Sequence, residues 1–209
     1  MIFDLHVHTT HSSCSSLSID EILKNARDKG LDGVCITDHN SMNIRHDITE
    51  GIQDDGLVII FGMEYDTPEG DFLLFGPFED LSPGLVAEEL LHIVSKRGGV
   101  AVAAHPFRHD RPVAQHIIQK GLCLVVESIN GRNSDLENAH VQSWTKKYPL
   151  ILCGGSDAHS IEELGRVITL MDEPVSSRDD LIHAIKNGLC TPSMNLAEEY
   201  LPMVAELSD

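Results

Sequence analysis

Positive charge is scarce in this sequence. Lys and Arg number 15 against 33 Asp and Glu, a formal net charge of −18 over 209 residues. A surface that negative repels phosphate backbones over most of its area, which disfavours long nucleic acid as a partner but leaves room for a local basic or metal-bearing pocket. Long apolar runs are missing too. A typical one, residues 57–61, is far too short to span a bilayer, and Met1-Ile2-Phe3-Asp4 lacks the basic start and apolar stretch of a signal peptide. The five cysteines, Cys14, Cys35, Cys123, Cys153 and Cys190, are odd in number and form no C-x-x-C pair. Three of them lie inside apolar runs, where a free thiol behaves as a small hydrophobe. The expectation is a reduced, cytoplasmic protein with no membrane partner.

What is present suffices for a core. With 42% hydrophobic and 23% charged residues, a chain of this length is expected to fold as a single domain over 1–209. No internal repeat, low-complexity tract or linker interrupts it. Short, β-branched-rich runs at 2–7, 33–37, 57–62, 99–103, 123–127, 150–153 and 167–171 read as strands. Helical patterns lie between most of them. Ser18-Ile19-Asp20-Glu21 and Ser134-Asp135-Leu136-Glu137 read as capping boxes, and Ser177 to Asp180 as a weaker one. Ser82-Pro83 is expected to start a helix over 85–97, and 44–53 and 112–120 are shorter helical candidates. Pro68-Glu69-Gly70 between two apolar segments suggests a hairpin within 64–78, and 196–209 reads as an acidic helix. Strand–helix alternation predicts an α/β fold with a parallel sheet, open or closed into a barrel of about seven βα units.

The residues just past each strand are the informative ones. They are His6 and His8, then Asp38 and His39, Glu64, His105, Glu127 with Asn130, and Asp157 with His159. In an α/β barrel those strand ends converge on one face. His6 and His8, two apart on a strand, point to the same side. Imidazole and carboxylate together suit Zn²⁺, Mn²⁺ or Fe²⁺, and a Glu with two oxygens can bridge two ions. Each residue also has an ordinary structural use. Asp38-His39-Asn40 fits a turn, Glu64 an exposed hairpin position, and Asp157 a helix cap. Six coincidences at one rim are needed for all of them, so the metal reading is preferred. His46, His92, His109, His116, His140 and His183 lack a partner pattern and are expected to be structural.

Asp4-Leu5-His6-Val7-His8-Thr9, Thr37-Asp38-His39-Asn40, Gly62-Met63-Glu64, Ala104-His105-Pro106 and Ser156-Asp157-Ala158-His159 together resemble the motifs of the PHP (polymerase and histidinol phosphatase) family. The resemblance covers essentially the whole chain. It implies a distorted (β/α)7 TIM-like barrel, with two or three divalent ions at the C-terminal ends of the strands and hydrolysis of phosphate esters. By position, His6, His8, Glu64 and Asp157 resemble the first ion site, and Glu64 and His105 the second. Asp71 stands where relatives place a further second-site His. His39 and His159 resemble the third site, where the nearest equivalent of the remaining ligand is Cys14, with His11 close by. A cysteine there either shifts preference towards Zn²⁺ or leaves the third ion weak or absent.

The reaction such a site implies needs several further roles. Asp38 is expected to orient His39 or a water, and His39 or His159 to hand a proton to the leaving group. Arg108 and Arg132 are candidate phosphate ligands, with Arg111 behind them. No cap-domain insertion is visible, so a small phosphomonoester or nucleotide is the expected substrate. The alternatives are a 5'-3' exonuclease on short oligonucleotides, a non-catalytic metal-binding module, and hydrolysis of a C–N bond.

Overall fold

The computed structural model describes residues 1–195, so the acidic helix expected over 196–209 lies outside the described residues. In chain order the elements are β1 (Ile2–Val7), α1 (Ile19–Asn25), β2 (Gly33–Ile36), β3 (Gly51–Ile52), β4 (Val58–Phe61), β5 (Met63–Thr67), β6 (Gly70–Phe75), α2 (Ala87–Lys96) and β7 (Val100–Ala103). There follow α3 (Gln115–Gln119), β8 (Val125–Asn130), α4 (Asp135–His140), α5 (Gln142–Thr145), β9 (Ile151–Gly155), β10 (Val167–Met171), α6 (Arg178–Lys186) and β11 (Cys190–Met194). The α/β class and the expected strands are found, with β3 and β11 in addition.

The strands form two sheets rather than one closed barrel. One has the order β11-β10-β1-β2-β4-β3 and the other β5-β6-β7-β8-β9. Parallel pairing holds at β1–β2, β2–β4, β7–β8 and β8–β9. The expected barrel departs from this where the βα repeat lapses. The β5–β6 hairpin pairs antiparallel with β7, and β10 returns antiparallel to β1 without a crossover helix. Gly62 alone separates β4 from β5, which belong to different sheets. Isolated bridges at Val7–Ala158 and His39–Glu64 stitch the sheets together beside the strand ends that carry the candidate site.

Period-two alternation feeds two apolar clusters. Val34, Ile36, Ile59, Phe72 and Leu74 pack with α1, α2 and α3, whereas Phe3, Leu5, Cys35, Ile60, Leu73 and Phe75 join both sheets to α6. Both strong capping boxes form as expected, with Ser18 and Ser134 accepting from the backbone of Glu21 and Glu137. Two helical expectations are corrected. The segment 44–53 holds only a short 3-10 turn, Asn43–His46, followed by β3. Helix α2 starts later than Ser82-Pro83, because the Glu69 carboxylate on the hairpin turn accepts from Ala87 N at 2.9 Å and supplies the cap.

Gly33 marks the tightest packing of the β1–β2 pair. A Cβ there would lie 2.1 Å from Phe3 Cε1, and Phe3 is fully buried. Gly33→Ala is therefore expected to destabilise the fold by about 1–3 kcal/mol through overpacking. Urea unfolding monitored by circular dichroism reads this directly, and an unchanged midpoint would refute it.

Candidate metal centre

Five imidazoles and three carboxylates gather where the parallel strands end. One group joins His6, His8 and Asp157, a second Glu64, Asp71 and His105, and a third His8, His39 and His159, with ligand atoms within 4.8 Å of one another in each. His6 and His8 come from β1, Glu64 from β5 and Asp71 from β6, while His39, His105 and Asp157 follow β2, β7 and β9. Three of these strand ends are bent into the left-handed region by non-glycine residues, Asn40 (φ 51°), His105 (φ 29°) and Asp157 (φ 56°). Such conformations cost energy and persist where the surroundings fix them, commonly at functional sites.

The spacing of the first group is the decisive geometry. His6 Nε2 lies 3.1 Å from His8 Nε2, 3.4 Å from Glu64 Oε2 and 3.6 Å from Asp157 Oδ1. His8 Nε2 lies 3.2 Å from Glu64 Oε2 and 3.4 Å from Asp157 Oδ1. A tetrahedral ion with bonds of about 2.0–2.1 Å sets its ligand atoms about 3.3–3.4 Å apart. These five spacings match five of the six edges of such a tetrahedron, and the donor set of two imidazoles and two carboxylates fits Zn²⁺ or a similar ion. Glu64 faces both ways. Its Oε2 belongs to this set, while Oε1 lies 2.8 Å from His105 Nε2, and His105 Nε2 is 3.9 Å from Asp71 Oδ2.

Both β1 imidazoles are held from behind. His6 Nδ1 lies 3.0 Å from Glu127 Oε1, and His8 Nδ1 lies 3.2 Å from Ser12 Oγ. With a proton on each Nδ1, the Nε2 lone pairs face the cluster. Glu127 Oε2 also accepts from His105 N at 2.7 Å, so this one carboxylate positions two candidate ligands. The close approach of β9 to β1 depends on Gly155, where a Cβ would sit 2.5 Å from that of His6.

The electrostatics favour a cation. Burial alone would lower the pKa of His6, but the carboxylates of Asp157, Glu127 and Glu64 outweigh it and hold the imidazole well above its ordinary value. Burial would likewise raise Glu64 and Asp157. The facing imidazoles, with His105 for Glu64 and Arg108 for Asp157, hold both well below the usual carboxylate range. Burial, reinforced by the neighbouring His8, pushes His159 down to about 4, so its imidazole is neutral at pH 7. That state suits a ligand rather than the proton donor expected of it. Burial, with the charge of Glu64 behind it, pushes Asp71 up to about 6.

The remaining expected residues divide. Cys14 joins the cluster edge, its Sγ 3.2 Å from His159 Nε2, while His159 Nδ1 lies 2.8 Å from the Asp157 carbonyl. Arg108 reaches in, donating through Nη2 to Asp157 Oδ2 at 2.7 Å and to Asn130 Oδ1 at 2.8 Å. Arg111 Nη2 donates to Asp71 Oδ1 at 2.7 Å. Arg132 stays at the rim, 3.7 Å from Glu163. His11 turns away to Asp47 at 2.8 Å. Asp38 does not touch the His39 ring. Its buried carboxylate accepts from Thr9 N, Thr9 Oγ1 and Ser12 Oγ at 2.6–2.7 Å, so it steadies the loop after β1 and reaches His8 only through Ser12.

Sequence reasoning passed over the supports. Glu127 stood at a strand end without a role, and Asp4 and Ser12 were not singled out. Asp4, two residues before His6 on the same face of β1, accepts from Ser156 N and Gly165 N at 2.9 Å each. Its place in an alternating Asp-x-His-x-His run was the available signal.

Comparison with known proteins accords with this arrangement. Uncharacterized protein MJ1587 of Methanocaldococcus jannaschii is 33% identical over 114 residues, covering 50% of this chain and 67% of that protein. The crystal structure of PsfC from Pseudomonas syringae PB-5123 superposes with a TM-score of 0.74 at 21% identity, covering 99% of this chain and 96% of that one. The lesion-specific endonuclease PfuEndoQ from Pyrococcus furiosus superposes with a TM-score of 0.66 at 18% identity, covering 93% of this chain and 58% of that one. At such identities the two structures share the fold. A PHP-associated profile matches residues 135–190. The profile of the PHP domain matches residues 4–159, the stretch that carries every strand-end residue of the cluster, and the chain therefore belongs to the PHP-domain family.

Proposed function

We propose that this protein is a metal-dependent phosphoesterase acting on small phosphomonoesters or nucleotides. The observation that carries the reading is the tetrahedral-edge spacing of His6, His8, Glu64 and Asp157. These four would hold a first ion. Glu64, His105 and Asp71 would hold a second, and His39, His159 and Cys14 surround a position for a third. Bound divalent ions supply Lewis acidity and an activated water nucleophile for displacement at phosphorus.

The chain's own residues supply the rest. Arg108 fixes Asp157 through one terminal nitrogen, while its Nη1 makes no hydrogen bond among the described residues and is offered to a phosphoryl oxygen. Arg132, loosely paired and half exposed, is the second candidate for that contact. His39 stands at the open side, its Nδ1 3.2 Å from Glu64 Oε2, and with the third position unfilled it would pass a proton to a leaving oxygen. Exonuclease action on short oligonucleotides is the second reading. Its support is the likeness to a lesion-specific endonuclease, which also weighs against excluding nucleic acid on net charge. A non-catalytic metal-binding module would share the ligands without turnover.

Three expectations follow. Purified protein should contain a transition metal, and p-nitrophenyl phosphate or nucleotide hydrolysis should vanish with chelator and return with Mn²⁺ or Zn²⁺. Metal-loaded protein that cleaves neither phosphomonoesters nor labelled oligonucleotides would leave only the module, and shortening of the oligomer without release from mononucleotides would select the exonuclease. Glu127→Gln should keep the fold yet weaken metal binding about 10–100-fold, measured by competition with a chromophoric chelator. Arg108→Gln should raise KM more than it lowers kcat, and unchanged kinetics would remove Arg108 from phosphate recognition.

A further inference from the structure

The donor groups that meet at Glu64 are chemically unlike. We propose that the centre is built for two different metals, a borderline ion of the Zn²⁺ type at His6, His8 and Asp157 and a harder, oxygen-seeking ion of the Mn²⁺ type at Glu64, Asp71 and His105. The inference rests on the metal-centre reading and extends it to metal identity. With Glu64 shared between them, the first set presents two imidazoles and two carboxylates and the second only one imidazole beside two carboxylates, all buried. Imidazole suits Zn²⁺, whereas carboxylate oxygen suits Mn²⁺ and Mg²⁺.

Geometry separates them in the same sense. The first group, with Glu64 Oε2, has spacings of 3.1–3.6 Å, regular enough for a four-coordinate ion. In the second, His105 Nε2 stands 2.8 Å from Glu64 Oε1 but 3.9 Å from Asp71 Oδ2, an irregular set that suits an ion without a tetrahedral demand. Asp71 is the residue that decides the character of this group. It lies on β6 opposite Asp66, and Arg111 Nη2 holds its Oδ1 at 2.7 Å while standing 3.3 Å from Asp66 Oδ1. The guanidinium offsets the crowded negative charge and clamps one oxygen of Asp71, which leaves Oδ2 turned towards His105. A histidine at this position would add a second nitrogen donor and erase the contrast between the groups.

Zn²⁺ outbinds Mn²⁺ at most nitrogen and oxygen sites, so the contrast appears as resistance to displacement rather than as absolute preference. The test loads the full chain with Mn²⁺ and titrates Zn²⁺, following released Mn²⁺ by electron paramagnetic resonance and bound metals by native mass spectrometry. Two separate release steps are expected, with a mixed Zn/Mn species between them. Asp71→His should merge the steps into one. Asp71→Asn, nearly the same shape, should lose the more resistant Mn²⁺ and keep the other, with circular dichroism as the check on folding. A single release step in the natural chain, or two steps unmoved by both substitutions, overturns the proposal while the metal-centre reading stands. Failure of the natural chain to hold either ion overturns both.

Discussion

The structure is organised around a buried concentration of like charge that needs a counter-charge. Glu64, Asp71, Glu127 and Asp157 are all nearly inaccessible to solvent, and so are His6, His8 and His105. Ionised carboxylates removed from water cost several kcal/mol each unless they are paired. Protonated imidazoles and arginines meet part of that need, as the raised His6 and the Arg108–Asp157 and Arg111–Asp71 contacts show. Protons and metal ions compete for the same lone pairs. Carboxylates that raise the proton affinity of His6 and His8 in this way equally favour a divalent cation that enters by displacing protons.

The rest of the fold keeps these groups from drifting apart. Gly155 lets β9 run against β1, Asp4 ties β1 to the backbone of Ser156 and Gly165, and Asp38 braces the loop that carries Ser12. Each is a backbone or carboxylate device behind a candidate ligand. Their precision matters because a donor misplaced by half an ångström no longer fits the coordination polyhedron.

Much of this was legible in the sequence, for a definite reason. Strand ends in a parallel sheet share one face, and side chains alternate with period two, so His6-x-His8 and the Asp, His and Glu residues after later strands could be assigned to one rim without coordinates. The hairpin at Pro68-Glu69-Gly70 and both capping boxes depend on residues a few positions apart and were equally readable. The supports were not. Glu127 reaches His6 across 121 positions and Asp38 reaches Ser12 across 26, pairings set by sheet register. The same holds for the cap of α2, drawn from a hairpin turn 18 residues earlier, and for the division into two sheets, where β10 pairs with β1 and β4 parts from β5 at Gly62.

The net charge of this chain acts over a short range. At physiological ionic strength surface charges are screened beyond about 8 Å. A small phosphate ester at the cluster therefore responds to the cations beside it, Arg108, Arg111 and Arg132, and hardly at all to acidic residues on distant faces. A long duplex would meet those faces along its length, so more of the −18 formal charge would act on it than on a short ester. The acidic surface and the arginine-edged centre are thus compatible in one molecule. They act on different lengths of ligand: the arginines on any phosphate that reaches the centre, the distant acidic faces only on a polyanion long enough to lie across them.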